Sequence, residues 1–215
     1  MIPSAVIFDC DGVIVDSEYP TFILLAQEFA DYGLHLSPDQ IAQDFIGGTM
    51  AGVADMARAK GADLPADWVH MFYEKLYAHL ALGTPLVPGI LGVLDHLDAH
   101  AIPYAVGSNG SDHKMQVTLG QYPGLIARFQ GRLFSGQTLG KPKPAPDLYL
   151  HAAAALGIAP ALCVVIEDSP TGALAARAAG MRCMGYAAAG HSDGLRAVGA
   201  VIFNDMADLP GMLGL

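Results

Sequence analysis

Two carboxylates at alternate positions, Asp9 and Asp11, end the short apolar run Ala5-Val6-Ile7-Phe8 and lead into Gly12-Val13-Ile14-Val15-Asp16-Ser17-Glu18. Val, Ile and Phe suit a strand covered on both faces, and Gly12 permits a sharp turn directly after the acids. The pair then stands at the C-terminal edge of a strand, where open α/β sheets bind their ligands. No Lys or Arg occurs within the first 50 residues, so local charge balance does not account for the acids. A hard divalent cation such as Mg²⁺ is the natural counter-charge, because it takes carboxylate and carbonyl oxygens and leaves room for a substrate phosphate. In such a site one Asp attacks phosphorus and the other handles the leaving group's proton.

The run from Asp9 to Glu18 resembles the first signature of the haloacid dehalogenase superfamily of phosphatases and mutases, and the rest of the chain matches three further signatures in order. The second is the strand-like Ile102-Pro103-Tyr104-Ala105-Val106-Gly107, ending in Ser108-Asn109-Gly110-Ser111. A hydroxyl and backbone N–H groups at a strand-to-helix turn can cradle phosphate oxygens. The third is Gly140-Lys141-Pro142-Lys143-Pro144-Ala145-Pro146-Asp147. Related sequences read Lys-Pro-x-Pro-Asp, which selects Lys143 over Lys141, and an ammonium there offsets clustered negative charge. The fourth is Leu162-Cys163-Val164-Val165-Ile166-Glu167-Asp168-Ser169-Pro170, an apolar strand running into acids and then a helix whose cap is Ser169.

The resemblance implies a mechanism by named residues. Asp9 is the nucleophile, Asp11 the general acid and base, and Ser108, Asn109 and Lys143 stabilise the phosphoryl oxygens. Asp9, the Asp11 carbonyl, Asp168 and Glu167 hold Mg²⁺. Haloalkanoate dehalogenases lack a carboxylate at the position of Asp11, so phosphoryl chemistry is favoured. The loop Gly47-Gly48-Thr49 resembles the substrate-facing loop of β-phosphoglucomutase-like proteins, which marks Gly47 and Thr49 as substrate-binding. The stretch Gly107 to Gln116, with Leu133-Phe134-Ser135-Gly136, resembles the 6-phosphogluconate phosphatase branch and leans the expectation toward sugar or sugar-acid phosphates. The alternatives are a β-phosphoglucomutase-type phosphomutase and a catalytically silent binding or regulatory relative.

The elements that must position these residues follow from the pattern. After the first strand comes a helical stretch, expected as helices near 19–32, 38–45, 50–60 and 66–81 with breaks at Gly33, Gly47-Gly48 and Gly61. Beyond Gly89, helices and strands alternate, with strands near 104–106, 132–134, 162–166, 183–186 and 200–203. The expected fold class is α/β: a doubly wound parallel sheet, Rossmann-like, made of residues 1–16 and 86–215, with an inserted α-helical cap at 17–85. A dinucleotide-binding domain is disfavoured, since no Gly-x-Gly-x-x-Gly turn follows the first strand.

Composition narrows the function classes. The chain of 215 residues is 53% hydrophobic and 15% charged, enough for a well-filled core. Its formal net charge of −10 and lack of clustered Lys and Arg argue against a nucleic-acid partner. No apolar run reaches the roughly 20 residues that span a bilayer, and no basic leader precedes the first strand. Cys10, Cys163 and Cys183 lack metal-ligand spacing and read as buried thiols of a reducing compartment. The expectation is a cytoplasmic monomer or homodimer that takes a small phosphomonoester and no membrane. The cap segment holds only Arg58, Lys60 and Lys75 as cations, which favours one substrate phosphate over two. Its histidines, His35, His70 and His79, are read as surface or half-buried residues.

Overall fold

The structure is a computed structural model describing residues 2–45, 50–188, 190 and 192–215. In chain order its elements are β1 (Ala5–Phe8), α1 (Glu18–Asp31), α2 (Pro38–Phe45), α3 (Met50–Ala59), α4 (Trp68–Leu82), α5 (Ile90–Ala99), β2 (Tyr104–Ser108), α6 (Asp112–Leu119), α7 (Pro123–Arg128), β3 (Leu133–Ser135), α8 (Asp147–Leu156), β4 (Cys163–Glu167), α9 (Pro170–Ala178), β5 (Arg182–Tyr186), α10 (Asp193–Val198), β6 (Val201–Phe203) and α11 (Leu209–Leu213). The chain divides into two compact units, residues 1–15 with 86–215, and residues 16–85.

The first unit is built on one sheet of order β3-β2-β1-β4-β5-β6, with every neighbouring pair parallel. The strand sequences explain this arrangement. All residues of β1 and β4 are buried, as expected of parallel strands covered by helices on both faces. Strand alternation sends Val6, Phe8 and Cys10 into one core layer, with Ile90, Leu94 and Leu97 of α5, Met115 of α6 and Leu213 of α11. Ala5 and Ile7 enter the opposite layer, with Tyr149 of α8, Ala173 and Ala176 of α9, and Leu195 of α10. Ile7 is in register with Ala105 on one side and Val165 on the other. The order changes direction at β1, since β2 and β3 extend one way and β4 to β6 the other. That reversal is where the ends of parallel strands splay to form a crevice.

The thiols of Cys10, Cys163 and Cys183 are free and buried. No helix among the described residues is long and apolar enough to cross a membrane.

The second unit consists of α1 to α4 around an aromatic centre. The ring of Trp68 stacks on Phe72 at 4.9 Å between centroids and lies 5.7 Å from Phe29. The Lys75 ammonium meets the buried Glu28 carboxylate at 2.6 Å, tying α4 to α1. His70 stands on an exposed face near Glu74 rather than packing into the aromatic cluster. Gly47 and Thr49, expected to contact substrate, lie outside the described residues.

The chain leaves and re-enters the first unit at one joint. Val15 pairs antiparallel with Leu86, and Val87 N donates to Ile14 O at 2.9 Å. Within the second unit, Asp16 N donates to Pro85 O at 2.9 Å.

Candidate active site

The C-terminal edges of β1, β2 and β4 and the loop before α8 bring the sequence motifs together. Asp9 follows β1, and its N–H continues the strand ladder by donating to Ile166 O at 2.9 Å. The next turn closes tightly, with Gly12 N donating to Val15 O at 2.8 Å. Gly12 takes a φ of +76°, and a β-carbon placed there would fall 1.9 Å from Asp168 Oδ2. Only glycine allows the main chain beside Asp11 to approach the Asp168 carboxylate so closely.

Lys143 is the hub of the cluster. Its Nζ donates to Asp9 Oδ1 and to Glu167 Oε1, the latter at 2.6 Å. It also lies 4.9 Å from the centroid of the Tyr149 ring, a distance at which the ring face attracts a cation. The side chains of Lys143 and Glu167 are 3% and 1% exposed. The Lys143 main chain is fixed by Asn109, whose Oδ1 accepts from Lys143 N at 2.8 Å and whose Nδ2 donates to Lys143 O at 3.2 Å. The Lys143–Pro144 peptide bond is cis.

Two of the expected site residues are held in internal contacts. Glu167 was expected to be a metal ligand, but its oxygens are already engaged. Oε1 accepts from Lys143 Nζ and from Tyr149 OH at 2.7 Å, while Oε2 accepts from Ser169 N at 3.0 Å and Ser169 Oγ at 2.9 Å. Four donors occupy roughly the four lone-pair positions of a carboxylate, so in this arrangement Glu167 orients Lys143 and the start of α9. Asn109 was expected on the phosphoryl oxygens, yet its amide is engaged at both ends by Lys143, and it clamps the lysine loop against the end of β2. Ser108 keeps a chemical opening: its Oγ accepts from Gly110 N at 2.9 Å, which leaves the hydroxyl proton to donate.

Charge balance is reached differently from the local reading. The acids near the N-terminus do have cationic partners, delivered through space. Lys143 reaches Asp9, and Lys114 of α6 reaches Asp11, with Nζ 2.8 Å from Oδ1. Sequence reasoning assigned roles to neither Lys114 nor Tyr149, although Lys114 lies within the resembling stretch Gly107 to Gln116.

Electrostatics follows from this crowding. Burial pushes the Asp9 carboxyl up to about 7, with Lys143 pulling it down and the Glu167 and Asp11 carboxylates adding to the rise. Burial also opposes ionisation of Glu167, but Lys143 and the surrounding donors hold it below the usual carboxylate range. Burial works against the Lys143 ammonium, which Asp9 and Glu167 nevertheless hold above the usual lysine value. The same balance, with Asp11 as the partner, raises Lys114.

The donor set fits a divalent cation. Asp9, Asp11, Glu167 and Asp168 supply four carboxylates against the ammonium groups of Lys143 and Lys114, leaving an excess of two negative charges. Asp9 follows β1, Asp168 follows β4, and the main chain at Gly12, next to Asp11, runs against the Asp168 carboxylate. No group of three or more metal-ligating His, Cys, Asp or Glu side chains occurs among the described residues. A hard cation such as Mg²⁺ takes carboxylate and carbonyl oxygens and retains waters for the rest of its shell.

A parallel α/β sheet whose edge presents an aspartate pair, a buried lysine and a serine turn defines a hydrolase of the haloacid dehalogenase type. A family model for haloacid dehalogenase-like hydrolases matches residues 3–180, and the chain belongs to that family. Among curated proteins, it is 30% identical over 207 residues to 6-phosphogluconate phosphatase of Escherichia coli (strain K12), covering 96% of this chain and 92% of the relative. It is 32% identical over 177 residues to hexitol phosphatase A of the same organism, covering 81% and 78%. Among solved structures, a HAD family hydrolase from Deinococcus radiodurans R1, with bound phosphate and sodium, superposes with a TM-score of 0.84 at 34% identity, covering 98% of this chain and 95% of that one. The chain is thus an enzyme of the hydrolase class, similar to phosphatases.

Proposed function

We propose that this protein is a Mg²⁺-dependent phosphomonoester hydrolase acting on a sugar or sugar-acid monophosphate through an aspartyl-phosphate intermediate. The observation that carries the reading is the Asp9–Lys143–Glu167 cluster with a second carboxylate, Asp11, two residues from the nucleophile. Glu167 fixes Lys143, and Lys143 fixes one oxygen of Asp9. A carboxylate oxygen of Asp9 attacks phosphorus as the bond from phosphorus to the leaving oxygen breaks. Asp11 gives its proton to that leaving oxygen, then takes one from the water that cleaves the Asp9–phosphorus bond. The Ser108 hydroxyl and the Lys143 ammonium stabilise the developing charge on the phosphoryl oxygens. Asp9, Asp168 and the Asp11 carbonyl would hold Mg²⁺, which supplies charge neutralisation for the phosphoryl group when bound.

The relatives' names support the substrate class. The second unit, acting as a cap, supports a single phosphate. Each of its three cations is committed internally: Arg58 to Asp55 at 3.1 Å and to Pro65 O at 2.8 Å, Lys60 to Asp44 at 2.8 Å, and Lys75 to Glu28 at 2.6 Å. A phosphomutase must grip a second phosphate, and these side chains are already engaged.

The test is inorganic phosphate release from a panel of sugar and sugar-acid monophosphates, with Mg²⁺ and with chelator, for wild type and Asp9→Asn. Metal-dependent release abolished by the substitution is expected. Accumulation of an isomeric sugar phosphate without inorganic phosphate would replace the hydrolase reading with a mutase.

A further inference from the structure

Lys114 belongs to neither the phosphate cradle nor the cation pocket, yet it is built into the site. Its main-chain N–H is held by the cap of α6, donating to Ser111 Oγ at 3.1 Å. Its side chain runs back past Gly110 to put Nζ 2.8 Å from Asp11 Oδ1. A β-carbon at Gly110 would lie 3.1 Å from Ser108 Oγ, 3.4 Å from Asp11 Oδ2 and 3.4 Å from Lys114 Cδ. The Ser108 hydroxyl, the Asp11 carboxylate and the lysine stem thus all pack around the main chain of Gly110. Lys114 and Asp11 are 18% and 24% exposed, partly withdrawn from solvent screening, and a lysine anchored by a helix cap has less freedom to lose than one on an open surface.

We propose that Lys114 is a positioning residue for Asp11: by holding Oδ1, it presents Oδ2, the oxygen on the Gly110 and Ser108 side, to the leaving-group oxygen. This rests on the reading of Asp11 as general acid and base. In the first half-reaction the electron pair of the breaking phosphorus–oxygen bond goes to the leaving oxygen, which takes the proton from Oδ2. In the second, Oδ2 takes a proton from water as the water oxygen bonds to phosphorus and the Asp9–phosphorus bond breaks.

The experiment compares kcat/KM, which reports the steps through leaving-group departure, for two leaving groups. With 6-phosphogluconate the departing alkoxide needs a proton, whereas p-nitrophenyl phosphate releases a stable phenolate. Lys114→Met is expected to lower kcat/KM by about 10²-fold for the first and by less than roughly threefold for the second, as loss of an aligned general acid would. Lys114→Arg, which keeps a cation at this position, is expected to recover most of the difference and also serves if the Met variant folds poorly. Equal losses on both substrates would mean a structural role and overturn the proposal. Asp11→Asn is the reference. If it discriminates between the substrates while Lys114→Met does not, only the role of Lys114 falls. If Asp11→Asn does not discriminate, the reading of Asp11 falls and the proposal with it, and wild type inactive on both compounds would overturn the sugar-acid phosphatase reading on which the proposal rests.

Discussion

The two units use the same chemical pair, an ammonium and a carboxylate, for different ends. In the helical unit, Arg58–Asp55 and Lys60–Asp44 are solvent-exposed, and among the described residues there only Lys75–Glu28 has a buried member. Exposed pairs of this kind contribute about 0–1 kcal/mol each. In the sheet unit, Lys143 is buried among Asp9 and Glu167 and joins residues 134 positions apart. Desolvation there costs more than a simple pair returns, and the surplus of negative charge is what a cation would neutralise before an anionic phosphoryl group could enter. The comparison teaches that charge pairing closes the helical unit, whereas in the sheet unit it is left deliberately incomplete.

The strongest attempt to break this contrast is Lys143→Met. It strands two buried carboxylates, so activity is expected to fall by about 10³-fold, and denaturant unfolding should show a loss of about 4 kcal/mol. A variant with wild-type stability would mean that the cluster is not energetically buried. Glu167→Gln sharpens the assignment of that residue. Replacing two acceptor oxygens by one acceptor and one donor should cost about 3 kcal/mol, with the Mg²⁺ concentration for half-maximal activity little changed. A large rise in the Mg²⁺ requirement would restore Glu167 as a ligand.

The third prediction follows from Asp9, whose pKa is raised from 3.8 to about 7. A carboxyl raised on folding contributes stability that is complete below its unfolded value and lost as pH rises through the folded one. Metal-free protein should therefore lose Tm between pH 5.5 and 8 through this group, and Mg²⁺ should raise Tm more at pH 8 than at pH 5.5. Equal shifts at the two pH values would contradict it. The smallest effects belong to the helical unit: Lys75→Met, which leaves Glu28 without that partner, should cost about 1 kcal/mol, and Lys60→Ala should stay within about 0.5 kcal/mol, both with kcat unchanged.

Much of the sheet unit was legible because its information is local. Short apolar runs ending in acids located β1 and β4, the serine turn located the end of β2, and Ser169 caps α9 through Gly172 N as its residue type demands. Strand ends differed by one or two residues where polar terminal residues, such as Ser108 and Glu167, still pair in the ladder. What local reading missed was pairing through space. An absence of cations within 50 residues of Asp9 says nothing about Lys143 or Lys114, which the parallel crossovers return to the same edge. For the same reason the contacts of Glu167 with Tyr149 and Lys143 were not legible from its place beside Asp168.

The joint at Val15 and Leu86 has a consequence for how such chains change. Because the sheet unit holds these two positions side by side, the entropy of closing the intervening segment is borne at a single fixed gap, and it grows only slowly with the segment's length. The joint is thus an exchange point. A compact block whose own termini lie adjacent can be traded there as one piece, leaving every charged side chain at the strand ends in place.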